Sequence, residues 1–205
     1  VLQFGGGKFL RAFADLFIQE MNETGVPVGS VVVVQSTDSD RARMLNNQQG
    51  CYHVVLRGLD EGKEIDQTFE VRSISRAIEA KNQWDQVVEV ARSADLRFII
   101  SNTTEAGLSL SNEDRRIGVS PVSFPAKLLE LLNTRFVAGC EGVTVLPCEL
   151  VEKNGDRLLD LVLQQALLWG LNGELTRWLE QEVVWLNTLV DRIVSGRPDH
   201  HPLLM

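Results

Sequence analysis

What this chain lacks narrows its possibilities first. No apolar run approaches the roughly 20 residues needed to cross a bilayer, and no basic region precedes a short apolar core at its start. A cytoplasmic location without a membrane partner is therefore expected. Basic charge is scarce: 20 Lys and Arg stand against 28 Asp and Glu, a net charge of −8. Nucleic-acid binders concentrate cations to neutralise phosphates, so no nucleic-acid partner is expected. Cysteine is thin, with only Cys51, Cys140 and Cys148, an odd number without a C-x-x-C pair. Neither a disulfide framework nor a cysteine-rich zinc site is indicated, which leaves small buried thiols as the ordinary state. His53 sits among strand residues with no second ligand at a fitting spacing, so no metal site is expected. Internal repeats and low-complexity segments are also missing. What is present, 205 residues at 44% hydrophobic content, suffices for a sizeable core and small-molecule chemistry.

The opening stretch organises the rest. Leu2-Gln3-Phe4 runs into Gly5-Gly6-Gly7, after which Phe9, Phe13, Leu16, Phe17 and Met21 fall on one face at helical spacing. Strand, glycine turn and helix suit a phosphate, because glycines let the backbone approach closely and a helix start offers unpaired N–H groups. The spacing is G-x-G-x-x-L, with Leu10 where a dinucleotide fingerprint has its third glycine. Read alone, the motif fits either a nucleotide site or a purely structural turn.

Gly25 and Pro27 supply the stop signal for this helix. Residues 30–35, rich in valine without polar alternation, read as a strand buried on both faces. Strand, helix and strand then form a βαβ unit, which places ligands at the carboxyl ends of parallel strands. Asp38, just beyond the second strand, is the candidate for the adenosine ribose. Asp38 and Asp40 equally suit capping of the following helix, and Arg41 and Arg43 could instead meet a 2′-phosphate. Residues 52–58 and 67–74 read as an antiparallel hairpin joined through Gly62. A helix with Trp84, Val87, Val88 and Ala91 on one face follows. The strand at 96–101 delivers Asn102-Thr103-Thr104-Glu105-Ala106-Gly107 to the same edge as the glycine turn, either as an ordinary polar turn or as a site for a nicotinamide ribose or a polar substrate. A helix begins near Pro125, a strand covers 142–146 and ends at Pro147-Cys148-Glu149-Leu150, and helices are expected over 157–169 and 175–185.

Four segments in this order resemble the mannitol dehydrogenase family of polyol-specific long-chain dehydrogenases. They are Gly5-x-Gly7-x-Phe9-x-Arg11, residues 102–107, Leu146-Pro147-Cys148-Glu149-Leu150 with Asn154-Gly155, and Asn187-Thr188-Leu189-Val190-Asp191-Arg192-Ile193. The resemblance implies an α/β fold: a Rossmann-type, doubly wound, mostly parallel sheet with an inserted antiparallel hairpin. It also implies NAD as cofactor and an oxidoreductase activity. Gly5, Gly7, Phe9, Arg11, Asp38, Asn102, Thr103, Thr104 and Glu105 would serve the cofactor. Cys148, Glu149 and Asp191 would line the substrate cleft. Mannitol-type members carry Cys-Asp-Asn where this chain has Cys148-Glu149-Leu150, so the likeness is to the branch acting on sugar acids.

The family's catalytic lysine lies in a C-terminal helical domain, within a Lys-x-x-x-x-Asn-x-x-His pattern that these residues do not contain. The resemblance thus implies a Rossmann domain over 1–196, the start of a linker over 197–205, and the chain's own C-terminal domain as a partner. Val1 already stands in a strand-like segment and 198–205 form no closing element, which points the same way. Alternatives are another polyol or hexuronate dehydrogenase of this family, or a non-catalytic nucleotide-binding Rossmann module.

Overall fold

A computed structural model describes residues 1–25, 28–103, 107–115, 120–190, 192–198 and 200–202. Its centre is a six-stranded sheet whose neighbouring strands all run parallel. The strands are β1 (Leu2–Phe4), β2 (Val31–Gln35), β5 (Ile74–Glu79), β6 (Phe98–Ser101), β7 (Thr144–Pro147) and β8 (Val184–Trp185). Their order, β5-β2-β1-β6-β7-β8, is that of a doubly wound dinucleotide fold, with the chain reversing direction across the sheet between β1 and β6. Strands β3 (Tyr52–Asp60) and β4 (Lys63–Val71) form a separate antiparallel ribbon.

The valine run of β2 shows how the sheet acquires two cores. Side chains alternate along a strand, so Val32 and Val34 enter one cluster with Leu2, Phe4 and Ile99, while Val31 and Val33 enter the other with Ile18, Leu45 and Ile74. The first face is covered by α4 (Ala80–Arg92), α5 (Phe124–Val137) and α6 (Asn154–Leu168), with α7 (Gly173–Gln181) beside them. The second is covered by α2 (Ala14–Glu23) and α3 (Arg41–Asn47). Burying one such aliphatic side chain contributes about 1.5–3 kcal/mol. Between Leu2 and Phe4, Gln3 must point to the second face, where it is wholly buried.

Four local expectations change. The first helix is broken: α1 covers only Lys8–Arg11, and Phe13, at φ −126 and ψ −87, separates it from α2. Phe9, Phe13 and Phe17 still pack in sequence, the first pair stacked and the second tilted, with ring centroids 5.3 and 4.8 Å apart. The hairpin connection is tighter than expected. Glu61 and Gly62 both take positive φ, 48 and 79, as a two-residue type I′ turn requires. The second apolar segment, 67–74, divides between two sheets, because Ile74, Ala77 and Ile78 are buried alongside β2. Finally, α7 stops at Gln181, and Val184–Trp185 becomes an edge strand on β7. Gly142 permits that approach, since a Cβ there would lie 1.8 Å from the Glu182 carbonyl oxygen. The stop after α2 includes Gly25 at φ 93; Pro27 lies outside the described residues.

Candidate functional site

The carboxyl ends of β1, β2, β6 and β7 bring together Gly5-Gly6-Gly7, the segment from Gln35 to Arg41, Asn102-Thr103, and Cys148-Glu149. Each glycine has its own reason. Gly5 takes φ +115, and a Cβ there would sit 3.0 Å from the Asn102 carbonyl oxygen. A Cβ on Gly6 would meet Arg41 Cδ at 3.1 Å and Val33 Cγ1 at 3.2 Å. Gly7 is different: its φ of −66 suits any residue, and a Cβ would find no atom of the described residues within 4 Å. Nothing among the described residues asks for a glycine there. A bare backbone facing open space at the switch point is what close approach of a diphosphate requires.

The surrounding side chains divide into those that face the open edge and those that build it. Arg41 lies over Gly6 and makes no hydrogen bond or ion pair among the described residues. Arg43 instead pairs with Asp40. Asp38 is 85% exposed and its two oxygens lie 3.2 and 3.3 Å from Lys81 Nζ. Buried Gln35 shapes the intervening loop: its amide nitrogen donates to the Thr37 and Ser39 carbonyls, and its oxygen accepts from the Ala42 N–H at 2.6 Å. Phe9 packs on Phe13 and beside Leu10, leaving its backbone to the turn. Arg11 turns inward, its guanidinium carbon 5.4 Å from the Tyr52 ring centre.

On the other side, Asn102 and Glu149 tie two loops together. The Asn102 N–H donates to the Phe4 carbonyl at 3.0 Å, and its side-chain amide donates to the Cys148 carbonyl at 2.6 Å. Glu149, 2% exposed, accepts from the Thr103 N–H at 2.9 Å, the Thr103 hydroxyl at 3.0 Å and the Ser101 hydroxyl at 3.1 Å. Its carboxylate thus faces inward and fixes the loop after β6. Cys148 is buried; burial first, and then the neighbouring Glu149 charge, push its thiol up to about 11, so it is neither thiolate nor nucleophile near neutrality. Leu150 is exposed on the surface beyond it. Thr104, Glu105 and Asp191 lie outside the described residues.

Asn154 is a residue whose importance the spacing only hinted at. Its Nδ2 lies 3.0 Å from the Pro147 carbonyl, 3.1 Å from that of Glu149 and 3.2 Å from that of Thr188, while its oxygen accepts from the Thr188 N–H at 2.9 Å. Gly155 lets this happen, since a Cβ would come within 2.5 Å of the Leu186 carbonyl oxygen. The pair anchors the segment after β8 against the end of β7. Further along, Arg192 donates to the Ala12 carbonyl and Lys8 to that of Ser195, so the segment crosses the fingerprint helices. Among the described residues no cluster of three or more His, Cys, Asp or Glu could hold a metal ion, and no helix is long and apolar enough to cross a membrane.

This sheet order and open glycine turn define a Rossmann domain of the dinucleotide-binding class. Comparison with known proteins places it further: the chain belongs to the mannitol dehydrogenase family, whose Rossmann-domain model matches residues 1–203. It is 42% identical over 203 residues to an altronate oxidoreductase of Enterobacter sp. (strain 638), covering 97% of this chain and 42% of that protein. A Bacillus subtilis (strain 168) altronate oxidoreductase is 41% identical over 202 residues, with the same coverage. The chain therefore spans about two-fifths of the length of these curated relatives. Among solved structures, Pseudomonas fluorescens mannitol 2-dehydrogenase, in a ternary complex with NAD and D-mannitol, superposes with a TM-score of 0.86 at 24% identity, covering 99% of this chain and 44% of that one. A substrate-free D-sorbitol dehydrogenase gives 0.80 at 22% identity, covering 93% of this chain and 42% of that one. The family is one of oxidoreductases, and the fold is theirs.

Proposed function

We propose that this chain is the cofactor-binding part of an NAD-dependent oxidoreductase that reversibly reduces tagaturonate to altronate. The observation that carries the cofactor reading is Gly7, bare where the fold does not need it. The substrate reading is supported by the altronate oxidoreductase relatives and by the Cys148-Glu149-Leu150 sequence. The backbone of Gly5, Gly7 and Phe9 would hold the pyrophosphate, with Arg41 as the adjacent cation and Asp38 at the adenosine ribose. Asn102 and Thr103, with Thr104 and Glu105, would serve the nicotinamide end. When bound, NAD supplies the hydride acceptor.

Residues 1–196 act as the Rossmann domain in this reading, and 197–205 lead towards a C-terminal helical domain carrying the lysine that handles the hydroxyl proton. Cys148, Glu149 and Asp191 form this chain's wall of the substrate cleft, Glu149 by holding the loop rather than by proton transfer. The work is cytoplasmic and involves no membrane or nucleic acid. The test is NADH consumption by the full-length protein against tagaturonate and a panel of keto-sugars. Preferential turnover of tagaturonate is expected; a preference for fructose would move the protein to the polyol branch. The 205-residue chain should bind NADH without turning it over.

A further inference from the structure

Beneath the glycine turn lies a buried polar cluster that hydride transfer does not use. Among the described residues, Gln3 Oε1, Arg11 Nε and Asp15 Oδ1 are buried without a hydrogen-bond partner. Asp15, in the first turn of α2, is wholly buried. Its Oδ2 lies 3.3 Å from Gln3 Nε2 and 3.4 Å from the Tyr52 hydroxyl oxygen. The same Gln3 nitrogen donates to the Gly5 carbonyl at 3.1 Å, and the Tyr52 hydroxyl donates to the Arg11 carbonyl at 2.7 Å. Asp15 therefore reaches both ends of the Gly5-to-Arg11 stretch through one intermediary each.

Proton counting gives this arrangement a preferred state. A phenol has one proton, and the 2.7 Å bond to Arg11 uses it. The 3.4 Å contact is then favourable when Asp15 carries a proton and donates it to the phenol oxygen. Ionised Asp15 would instead compete with the Arg11 carbonyl for the phenol proton. Among the described residues the charged or titratable groups facing Asp15 are Arg11 from α1 and Tyr52 from β3; Arg41 from α3 acts on Arg11, and the Ser73 hydroxyl before β5 donates to the Asp15 carbonyl. Burial outweighs the hydrogen bonds that an ionised Asp15 would accept from Gln3 and Tyr52 and the attraction of Arg11, and raises the carboxyl to about 7.

We infer that Asp15 is a positioning residue for the dinucleotide turn, holding Gly5 and Arg11 in the binding geometry when neutral and releasing them when ionised. This rests on NAD binding at Gly5 to Gly7. A diphosphate over the turn adds negative charge, so binding favours neutral Asp15 and takes up a proton near neutrality. NADH affinity should fall about threefold to tenfold between about pH 6 and about pH 8.5.

The test is fluorescence titration of the full-length protein with NADH across that range, for wild type and Asp15→Asn. A falling wild-type affinity and a flat profile for the variant are expected. Equal slopes in the two proteins, or a flat wild-type profile, overturn the inference, and a merely structural Asp15 would leave the slopes equal. Should the variant not fold, calorimetry of the wild type in two buffers of different ionisation enthalpy decides the matter: fractional proton uptake supports the inference and none overturns it. NADH binding without a pH slope overturns this inference alone. Absence of NADH binding at every pH overturns the cofactor reading and the inference with it.

Discussion

Replacing Glu149 by alanine removes an acceptor that serves three donors at once: the Thr103 N–H, the Thr103 hydroxyl and the Ser101 hydroxyl, at 2.9, 3.0 and 3.1 Å. Hydrogen bonds to a charged group contribute about 1.5–3 kcal/mol each. The two hydroxyls can rotate towards other acceptors, whereas the Thr103 N–H cannot, so the loss should be roughly 3–5 kcal/mol. Glu149→Gln behaves differently. Its amide oxygen can take the two Thr103 bonds while its NH2 donates to the Ser101 oxygen, leaving only the charge assistance missing, roughly 1 kcal/mol. Urea unfolding of both variants, followed by tryptophan fluorescence, measures the difference. A Gln variant as unstable as the Ala variant would refute the loop-holding role, because it would mean that the negative charge, not the hydrogen-bond pattern, is what the site requires.

Asp15 also makes a stability prediction independent of any ligand. Burial raises its carboxyl from 3.8 to about 7, so between those values the folded state keeps a proton that the unfolded state has released. The associated stability is complete below the lower value and lost as pH rises to the upper one, roughly 4 kcal/mol in all. Asp15→Asn removes that loss, so its stability relative to wild type should grow by roughly 2–3 kcal/mol from about pH 5 to about pH 8; an unchanged difference in urea unfolding contradicts it. Cys148 should resist iodoacetamide near pH 8 in the native protein, since its thiol is pushed up to about 11, while the half-buried Cys51 and Cys140 react first. Peptide mass mapping distinguishes them.

Legibility in the sequence followed how local each signal was. The valines of β2 declared a doubly buried strand because no polar residue interrupts them, and the carboxyl-edge loops followed from the βαβ order. β5 was hidden because it follows β4 after only Arg72 and Ser73, and nothing in an apolar run says that it changes sheets. β8 was hidden because two residues at the end of an amphipathic helix carry no period of their own. The break at Phe13 was masked by an aromatic stripe that continues across it. At the candidate site, the need for Gly5 could be anticipated from turn chemistry, but the vacancy around Gly7 could not, since that depends on what is absent in space. Gln3, Gln35 and Asn154 carry the hydrogen bonds that shape the edge. Asn154 was marked only as part of a segment resembling the family, Gln3 and Gln35 only as polar residues interrupting or ending an apolar strand, and their partners are distant or depend on loop conformation.

Gly7→Val tests the central claim most directly. Its backbone, φ −66 and ψ 166, accepts valine, and no atom of the described residues stands within 4 Å of the new Cβ. Stability should therefore stay within about 1 kcal/mol of wild type. The side chain would project into the space assigned to the diphosphate. Measured by NADH fluorescence on protein whose unfolding transition matches wild type, binding should disappear; a Gly7→Val protein that binds NADH as tightly as wild type would contradict the account.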